Sequence, residues 1–445
     1  MKRIYTVLSV FFLLFAMLMG LLSTFDKDAT YSEAEKRKLK TKPKMTVSSL
    51  IDGTYFNEYR AYYADTFPNR ETLMKSNTTL NGFYYFGGFG SDDSASLVVD
   101  LNLNAAQHGE ALKPTGDSDA PTGEAQNETE PEHKPSEPLA AAEQLGSVVL
   151  IGDSAFDVPH ADNDQIVKYA QAVTAIADLL GSDVKTFSMP VPNSAEFYTH
   201  KEYHTGKTSQ KAMFDLLKSN IGANVSFIDA YSAIEKHTDE YIYFRTDHHW
   251  THLGAYYAYT ALCESAGFTP VNRDDFATGQ WEGFVGSLYT VVANYPQGQG
   301  LKDNPDTVHY WKPSANITTT CYKSTALTNG YAMGTICRVG EEVENKYLTF
   351  MGGDHPVAVV QTDTEGPTIL VIKESYGNAL ISWLTNHYNK IILIDPRQYF
   401  NNAKNADIDL AAFAAEQGVD QCLIVNYPMM LNSDGYTGLL EKLVK

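Results

Sequence analysis

From residue 147 onward, short apolar runs alternate along the chain with segments of helical spacing. Two runs, Val148–Ile151 and Val184–Met189, flank a helical segment over Ile166–Leu180. The same order recurs near the C-terminus, where strands are expected at Thr368–Ile372, Ile391–Asp395 and Cys422–Val425 and helices at Asn378–Leu384 and Ala411–Gln417. Because parallel strands are joined by crossovers that are usually helices, the alternation predicts an α/β domain, a parallel sheet flanked by helices. In such sheets, binding and catalytic groups lie at the carboxyl ends of strands.

Residues 1–25 have the features of a membrane-targeting segment. Lys2 and Arg3 precede Ile4–Phe25, which is 22 residues without a charge and long enough to span a hydrocarbon core. A cleavable signal peptide has a shorter apolar run, so we expect an uncleaved transmembrane anchor, with a signal peptide as the alternative. The domain is then expected outside the cytoplasm. Six basic residues lie between positions 36 and 44, and the positive-inside rule would keep such a cluster in the cytoplasm. The long folded domain that follows weakens this rule, because long domains cross the membrane largely regardless of their charge.

The rest of the chain divides into three segments. Residues 26–90 combine a charged stalk with an aromatic-rich stretch, which predicts a helical subregion that packs on the main domain. Residues 91–146 contain few large apolar side chains and 12 acidic residues, so we expect a disordered acidic linker or insertion. Residues 147–445 form the α/β domain. The net charge of −20 argues against nucleic acid as a partner, because phosphate binding needs a basic surface.

One short segment concentrates side chains capable of proton transfer. In an extended segment, Asp247 and His249 point to the same side. A carboxylate beside an imidazole fixes its tautomer and stabilises the imidazolium. We therefore expect His249 as a general base and Asp247 as its orienting carboxylate, with His248 as the reserve base. The segment reads Thr246-Asp247-His248-His249-Trp250-Thr251 and precedes a helix predicted over His252–Gly267, with Thr251 as its N-cap.

Two serines compete for the role of nucleophile. Ser154, in Gly152-Asp153-Ser154, resembles the Gly-Asp-Ser block of ordinary SGNH hydrolases, but Pro159 follows closely and disfavours an immediate helix. Ser375 lies between a predicted strand and a predicted helix, where free helical N–H groups favour a developing anion. We therefore expect Ser375 to be the nucleophile and keep Ser154 in reserve.

Three blocks of this sequence resemble the DHHW family of bacterial proteins. They are Ser32–Arg70 with its Phe67-Pro68-Asn69-Arg70, the Asp-His-His-Trp motif at 247–250, and Lys373-Glu374-Ser375-Tyr376-Gly377-Asn378. The family is similar to the alginate O-acetyltransferase proteins, whose SGNH-hydrolase-like domain has a permuted order with Asp-x-His before the serine. The resemblance covers most of the chain except residues 91–146. This sequence departs from the usual pattern at Glu374, where an aspartate is more common.

The resemblance implies an acetyl-enzyme on Ser375 whose acetyl group passes to a polysaccharide hydroxyl or to water. The protein would then be an extracytoplasmic O-acetyltransferase or acetylesterase without a cofactor. A separate membrane-bound O-acyltransferase would be the partner that supplies acetyl groups.

The donors for an oxyanion are less evident than the catalytic triad. Candidates are the backbone N–H groups of Ser375 and Tyr376, and Gly353 with Asp354, which resembles a glycine-plus-asparagine block. An ionised aspartate cannot donate, so a plain turn is the simpler interpretation of that block. The glycine-rich stretch Gly283–Ser287 is a further approach to the site, also interpreted as a turn. Trp250 is expected to pack or to line the acceptor site, and His248 is also a candidate for the oxyanion or acceptor site.

Two other functions compete with acyl transfer. Asp-His-His is also a metal-binding string of phosphoesterases, but the further ligands that such a site needs, at 160–162 and 237–239, follow no convincing strand. No metal is therefore expected. The other alternative is a non-catalytic polysaccharide-binding or scaffold protein of the cell envelope. Cys321 and Cys337 flank a polar stretch and are candidates for a disulfide.

Overall fold

The computed structural model describes part of the N-terminal region and nearly all of the main domain. The described residues are 31–32, 37–46, 49, 55–56, 59, 62–63, 66, 142–145 and 148–445 without 201–202, 204–208, 294, 402–404 and 406–407. The anchor and signal-peptide predictions concern residues 1–25, which lie outside this set. Within the described ranges, no helix is both long and apolar enough to cross a membrane.

The chain divides into two compact units, Met1–Ser91 and Asp92–Lys445. In the first unit, the two-residue strands Tyr31–Ser32 and Arg37–Lys38 pair antiparallel. Helical conformation is present at Ser49, Tyr55, Phe56, Tyr59, Tyr62 and Tyr63, within the predicted helical subregion.

The second unit contains a small antiparallel sheet before its main sheet. Its strands are β1 (Ala142–Leu145), β2 (Val148–Ile151) and β3 (Ser154–Asp157). The placement of Val148–Ile151 in the parallel sheet is therefore wrong: a two-residue turn with Gly152 at φ 61° sends the chain back as a hairpin. The strand β1 also belongs to the segment 91–146 that we expected to be disordered, and the rest of that segment lies outside the described residues.

An eight-stranded sheet forms the centre of the domain. The strands after β3 are β4 (Lys185–Pro190), β5 (Val225–Phe227), β6 (Thr278–Phe284), β7 (Asp306–Trp311), β8 (Ile317–Tyr322), β9 (Tyr331–Met333), β10 (Val357–Thr362), β11 (Thr368–Lys373), β12 (Lys390–Ile394) and β13 (Gln421–Asn426); β6 and β7 pair as a separate ribbon. The order in the main sheet is β9-β8-β10-β12-β11-β13-β4-β5, in which the last five are parallel and the first three run antiparallel. The prediction of a parallel sheet is thus confirmed for the centre and one edge only.

Two groups of helices flank the sheet. The helices are α1 (Asn163–Leu180), α2 (Ser194–Tyr198), α3 (Gln210–Asn220), α4 (Ala230–Glu235), α5 (His252–Ala266), α6 (Ser287–Val292), α7 (Gln299–Asp303), α8 (Asn378–Leu384), α9 (Pro396–Asn401), α10 (Leu410–Gln417), α11 (Pro428–Leu431) and α12 (Asp434–Lys442). One group packs around α1 and includes α3, α10 and α12, and the other packs around α5 and includes α4 and α8.

The helix α5 begins and ends as its sequence predicts. The Thr251 hydroxyl accepts the N–H of Gly254 at 3.2 Å, which is the N-cap hydrogen bond. Gly267 ends the helix in the left-handed region at φ 86°. The cap fixes where α5 starts, and it therefore fixes the direction of the segment 246–250 that precedes it.

The central parallel strands of the main sheet consist of nearly continuous apolar runs, as expected for strands covered on both faces. In β11, Ile369 to Ile372 are 0% exposed, and the neighbouring strands β12 and β13 are buried in the same way. Cys321 and Cys337, the candidates for a disulfide, are both buried free thiols. The parallel strands β11, β12 and β13 end side by side, so the residues that follow them meet at one edge.

Candidate active site

The Asp-His-His-Trp segment forms a short loop that closes on itself. Tyr243 and Trp250 form an antiparallel bridge, and the N–H of Thr251 donates to the carbonyl oxygen of Ile242 at 2.9 Å. The loop between the two bridged residues presents Asp247 and His249 at one place. All the side chains from 246 to 250 are buried.

The buried carboxylate of Asp306 holds the base of this loop. One of its oxygens accepts the backbone N–H of Thr246 at 2.7 Å and the hydroxyl of Thr246 at 2.6 Å. It also accepts hydrogen bonds from the backbone of Arg245 at 3.1 Å and from the hydroxyl of Tyr241. The guanidinium Nε of Arg245 also pairs with it at 3.3 Å. A buried charge is costly unless donors surround it, and here five groups do so. The sequence reasoning missed Asp306, which only follows a proline at the start of β7.

Asp247, His249 and Ser375 form a continuous chain of hydrogen-bonding contacts. The Nδ1 atom of His249 lies 2.6 Å from Oδ1 of Asp247, and its Nε2 atom lies 2.9 Å from Oγ of Ser375. The second oxygen of Asp247 accepts the N–H of Ser287 at 2.8 Å, which fixes the plane of the carboxylate. The structure thus brings together the three side chains that the sequence predicts.

The pKa of Asp247 reflects a competition between burial and its neighbours. Burial acts to raise the pKa of this carboxyl, but the two adjacent histidines and the N–H of Ser287 hold it well below its ordinary value. Asp247 is therefore ionised, which is the state that stabilises an imidazolium on His249.

Gly286 allows the carboxylate of Asp247 to approach the backbone closely. A Cβ atom at position 286 would lie 2.2 Å from Cβ of Asp247, so a side chain there would displace it. The N–H of Gly286 donates to the hydroxyl of Thr246 at 2.9 Å. The glycine-rich stretch Gly283–Ser287, which we interpreted as a plain turn, therefore supports Asp247 directly.

Ser375 lies at the carboxyl end of the central strand β11, as predicted. A single 3-10 turn, Ser375–Gly377, connects it to α8. The buried side chain of Glu374 accepts the N–H of Tyr376 at 2.8 Å and that of Tyr427, which follows β13, at 3.2 Å. The N–H of Tyr376, an expected oxyanion donor, is therefore already used. The N–H of Ser375 has no hydrogen-bond partner within the described part of the chain.

Aromatic side chains connect the turn that begins at Ser375 to the loop that contains the Asp-His-His-Trp motif. The ring of Tyr347 stacks on His249, with centroids 3.9 Å apart and planes 13° apart, and its hydroxyl donates to the carbonyl oxygen of Ser375 at 3.1 Å. Trp250 donates its indole N–H to the carbonyl oxygen of Tyr376 at 2.9 Å. The hydroxyl of Tyr376 in turn donates to the carbonyl oxygen of His248 at 2.5 Å. Trp250 therefore packs rather than lines an acceptor site, because it is 0% exposed.

His248 has one engaged ring nitrogen and one that is free. Its Nδ1 atom lies 2.6 Å from Oγ of Ser287, whereas its Nε2 atom is buried without a partner among the described residues. Burial, followed by the neighbouring His249, lowers the pKa of His248 to about 3. His248 is therefore neutral at physiological pH.

Asp354 belongs to a buried ion network and not to an oxyanion site. Its carboxylate lies 3.1 Å from Nζ of Lys373 and 2.9 Å from Nη2 of Arg397, and it accepts the side-chain N–H of Asn378 at 2.8 Å. Gly353 contributes only backbone to the preceding turn, at φ 114°. The sequence similarity of Gly353-Asp354 to a glycine-plus-asparagine oxyanion block therefore does not correspond to an oxyanion site in the structure. The ions instead tie the end of β11 to the start of α8.

Ser154 makes no hydrogen bond to a histidine among the described residues. It begins strand β3, and within the described part of the chain its hydroxyl contacts only the carboxylate of Asp153, at 3.4 Å. Asp153 pairs with the guanidinium of Arg245 at 2.6 Å, so the Gly-Asp-Ser block packs against the base of the Asp-His-His-Trp loop. The structure therefore supplies no base for Ser154 among the residues it describes.

A metal site is limited to one set of three side chains in the described residues. Asp247, His248 and His249 each offer a ligand atom, and these atoms lie within 4.8 Å of one another. Both ring nitrogens of His249 already contact Asp247 and Ser375. The additional ligands considered from the sequence are elsewhere: Asp162 caps α1, and His237 pairs with Glu240 at 2.7 Å.

The fold and site together define the class: an α/β protein in which a serine at the carboxyl edge of the central sheet contacts a histidine that is paired with a carboxylate in a neighbouring loop. The family model for DHHW proteins matches residues 35–88 and 120–394. The chain therefore belongs to the DHHW family.

This chain is also similar to several solved structures. A DHHW family protein from Eubacterium siraeum is 26% identical, with a TM-score of 0.60 over 68% of this chain and 98% of its own. Bacillus cereus PatB1 with a sulfonyl adduct is 16% identical, with a TM-score of 0.52 over 66% of this chain and 99% of its own. The O-acetyltransferase domain of Pseudomonas putida AlgJ is 15% identical, with a TM-score of 0.39 over 68% and 98%. The search of curated proteins gave no match.

Proposed function

We propose that this protein is a serine-dependent acyl-transfer enzyme, an O-acetyltransferase or acetylesterase. The observation that carries the proposal is the contact chain from Asp247 through His249 to Oγ of Ser375, with heavy-atom distances of 2.6 and 2.9 Å. These separations are within the range required for proton transfer between nucleophile and base. The tautomer with hydrogen on Nδ1 donates to ionised Asp247 and leaves Nε2 as the acceptor for the serine proton.

In the first half of the reaction, Oγ of Ser375 attacks the acyl carbon while its proton moves to Nε2 of His249. The tetrahedral intermediate then collapses: the bond from carbon to the leaving oxygen breaks, and that oxygen takes the proton from His249. The acyl group is now an ester of Ser375. In the second half, an acceptor hydroxyl or water gives its proton to His249 and attacks this ester, and Ser375 recovers its proton as the product leaves.

The acceptor and the location are parts of the proposal that rest on the family. The resemblance to alginate O-acetyltransferase proteins supports a cell-surface or exported polysaccharide as the acceptor. An uncharged segment, Ile4–Phe25, supports an anchor with the domain outside the cytoplasm. Since acetyl donors are made inside the cell, a membrane-bound O-acyltransferase is the partner that this arrangement requires.

The proposal is tested by acetyl release from 4-nitrophenyl acetate by purified full-length protein in mild detergent. We expect Ser375→Ala to abolish turnover above the uncatalysed rate and Ser154→Ala to retain it. A sulfonyl fluoride should add one sulfonyl group per chain, located on Ser375 by peptide mass spectrometry. Equal rates for wild type and Ser375→Ala would refute catalysis by Ser375. Loss of turnover in Ser154→Ala alone would show that Ser154, and not Ser375, is the nucleophile.

One observation favours the second candidate, a non-catalytic polysaccharide-binding or scaffold protein. Ser375 is 4% exposed and His249 is 0% exposed among the described residues, so a substrate must open the site before it can react. The non-catalytic role would be supported if wild type and Ser375→Ala both bind the exported polysaccharide and neither transfers an acetyl group. Turnover that requires Ser375 excludes it as the sole role.

A further inference from the structure

Acyl transfer from a buried serine needs hydrogen-bond donors for the negative charge that develops on the acyl oxygen. Two of the oxyanion candidates from the sequence are not available as donors: Tyr376 gives its N–H to Glu374, and the carboxylate of Asp354 accepts from Lys373 and Arg397. The described residues next to the nucleophile retain one free backbone donor, the N–H of Ser375. A side chain must therefore supply the second donor.

His248 presents an unused nitrogen on the required side of the site. The rings of His248 and His249 lie 3.9 Å apart and 36° from parallel. Both rings turn Nδ1 towards the same oxygen of Asp247, at 4.0 Å for His248 and 2.6 Å for His249. Nε2 lies across the imidazole ring from Nδ1, so this arrangement directs Nε2 of His248 away from Asp247, as it does Nε2 of His249, which contacts Ser375.

The hydroxyl of Ser287 determines which nitrogen of His248 carries the hydrogen. Within the described part of the chain this hydroxyl contacts only Nδ1 of His248, at 2.6 Å, and Ser287 is only 6% exposed. If Nδ1 carried the hydrogen, the hydroxyl hydrogen of Ser287 would have no acceptor among the described residues. When Ser287 donates to Nδ1 instead, its hydrogen is satisfied and the imidazole hydrogen lies on Nε2.

We propose that His248 is a catalytic residue whose Nε2–H donates a hydrogen bond to the oxyanion formed on the acyl group, together with the N–H of Ser375. This inference rests on the proposed acyl transfer. It assigns to the first histidine of Asp-His-His-Trp a role different from that of the second. Because Nε2 has no partner in the resting site, the hydrogen bond forms only with the reacting acyl group, which favours the transition state.

The test compares kcat of full-length wild type, His248→Leu and His248→Gln on 4-nitrophenyl acetate and on its thiono analogue, in which sulfur replaces the carbonyl oxygen. We expect His248→Leu to lower kcat on the ester by about 10²–10³-fold with little change in KM, as for removal of an oxyanion donor. The loss on the thionoester should be much smaller, because sulfur is a weak acceptor. His248→Gln, which keeps a side-chain N–H, should recover part of the ester rate.

The possible outcomes distinguish the donor role of His248 from the proposed acyl transfer on which it rests. Equal losses on ester and thionoester without recovery in His248→Gln, or full turnover in His248→Leu, overturn the donor role while Ser375-dependent acyl transfer stands. Absence of Ser375-dependent turnover in the wild type overturns both. Thermal unfolding checks each variant, and His248→Phe, which keeps a planar ring without a donor, replaces His248→Leu if that variant does not fold.

Discussion

The indole N–H of Trp250 donates to the carbonyl oxygen of Tyr376 across 2.9 Å, although 126 residues separate them in sequence. This hydrogen bond joins the end of the Asp-His-His-Trp motif to the turn that carries the serine. Both side chains are 0% exposed, and their rings lie 5.5 Å apart. The fourth residue of the motif thus fixes the distance between His249 and Ser375 without facing a substrate.

Replacing Trp250 by phenylalanine should loosen the serine turn. Loss of a buried hydrogen bond and of ring volume should lower the free energy of unfolding by about 1–3 kcal/mol. Displacement of Ser375 should lower kcat by about 10–100-fold. The matched control is Trp383→Phe, since Trp383 is equally buried and donates to the carbonyl oxygen of His252 at 3.1 Å. The control should lose similar stability but keep its turnover; equal loss of turnover in both would assign the effect to stability alone.

The neutral variant Asp247→Asn should retain the fold and lose most of the activity. The amide keeps an oxygen for the N–H of Ser287, but it cannot stabilise an imidazolium and favours the wrong tautomer of His249. By analogy with the triad carboxylate of serine proteases, we expect kcat to fall by roughly 10⁴-fold. The control is Asp153→Asn, whose carboxylate pairs with Arg245 and is half exposed. A fall of kcat in Asp153→Asn as large as in Asp247→Asn would contradict the specific role of Asp247.

The ion network around Asp354 should contribute strongly to stability. Asp354→Ala removes the carboxylate that the buried cations of Lys373 and Arg397 share, and breaking such a buried pair costs about 3–5 kcal/mol. Arg397 keeps its second carboxylate partner, Asp395, at 2.8 Å, so the loss falls mainly on Lys373. Chemical denaturation should show this as a lower midpoint. The control is Asp434→Ala, because Asp434 pairs with Lys168 at 3.3 Å where both side chains are 56% exposed. That change should cost less than about 1 kcal/mol; a similar shift in both variants would mean that burial of the network is unimportant.

Elements with a regular pattern and a local end signal were predictable from the sequence. The helix α5 begins after its Thr251 cap, and β11 and α8 surround Ser375 as expected. The choice of Ser375 over Ser154 followed from the same reasoning, because a nucleophile between a strand and a helix lies at the sheet edge. Val148–Ile151 was placed in the wrong sheet, because a four-residue apolar run predicts a strand but does not indicate which strand it pairs with.

Residues that act on the site from a distance in sequence could not be found in this way. Asp306 anchors Thr246 from 60 residues away, and Tyr347 stacks on His249 from a short 3-10 turn. Neither position has a local pattern that distinguishes it, since long-range hydrogen bonds depend on how separate elements pack. Gly286 and Ser287 had a visible signal in their glycine-rich stretch, but the stretch alone did not indicate which side chain it supports.

Acid sensitivity of the fold should include a measurable contribution from His252. Its Nδ1 atom accepts the N–H of Trp311 at 3.1 Å and its Nε2 atom lies 2.7 Å from Oγ of Ser382. Burial lowers the pKa of His252 to about 3, so the unfolded chain binds this proton near pH 6.5 and the folded chain does not. The stabilising contribution is therefore complete above pH 6.5 and is lost as the pH falls towards about 3.

His252→Gln removes this titration, so the stability difference between variant and wild type should shrink by roughly 2–3 kcal/mol between pH 6.5 and 4.5. The measurement is urea unfolding at several pH values. Ser382→Ala is the control, because it removes the hydroxyl partner and keeps the imidazole. This control should retain the wild-type dependence on pH, only displaced to lower stability. Parallel curves for His252→Gln and wild type would show that His252 is not buried as a neutral imidazole.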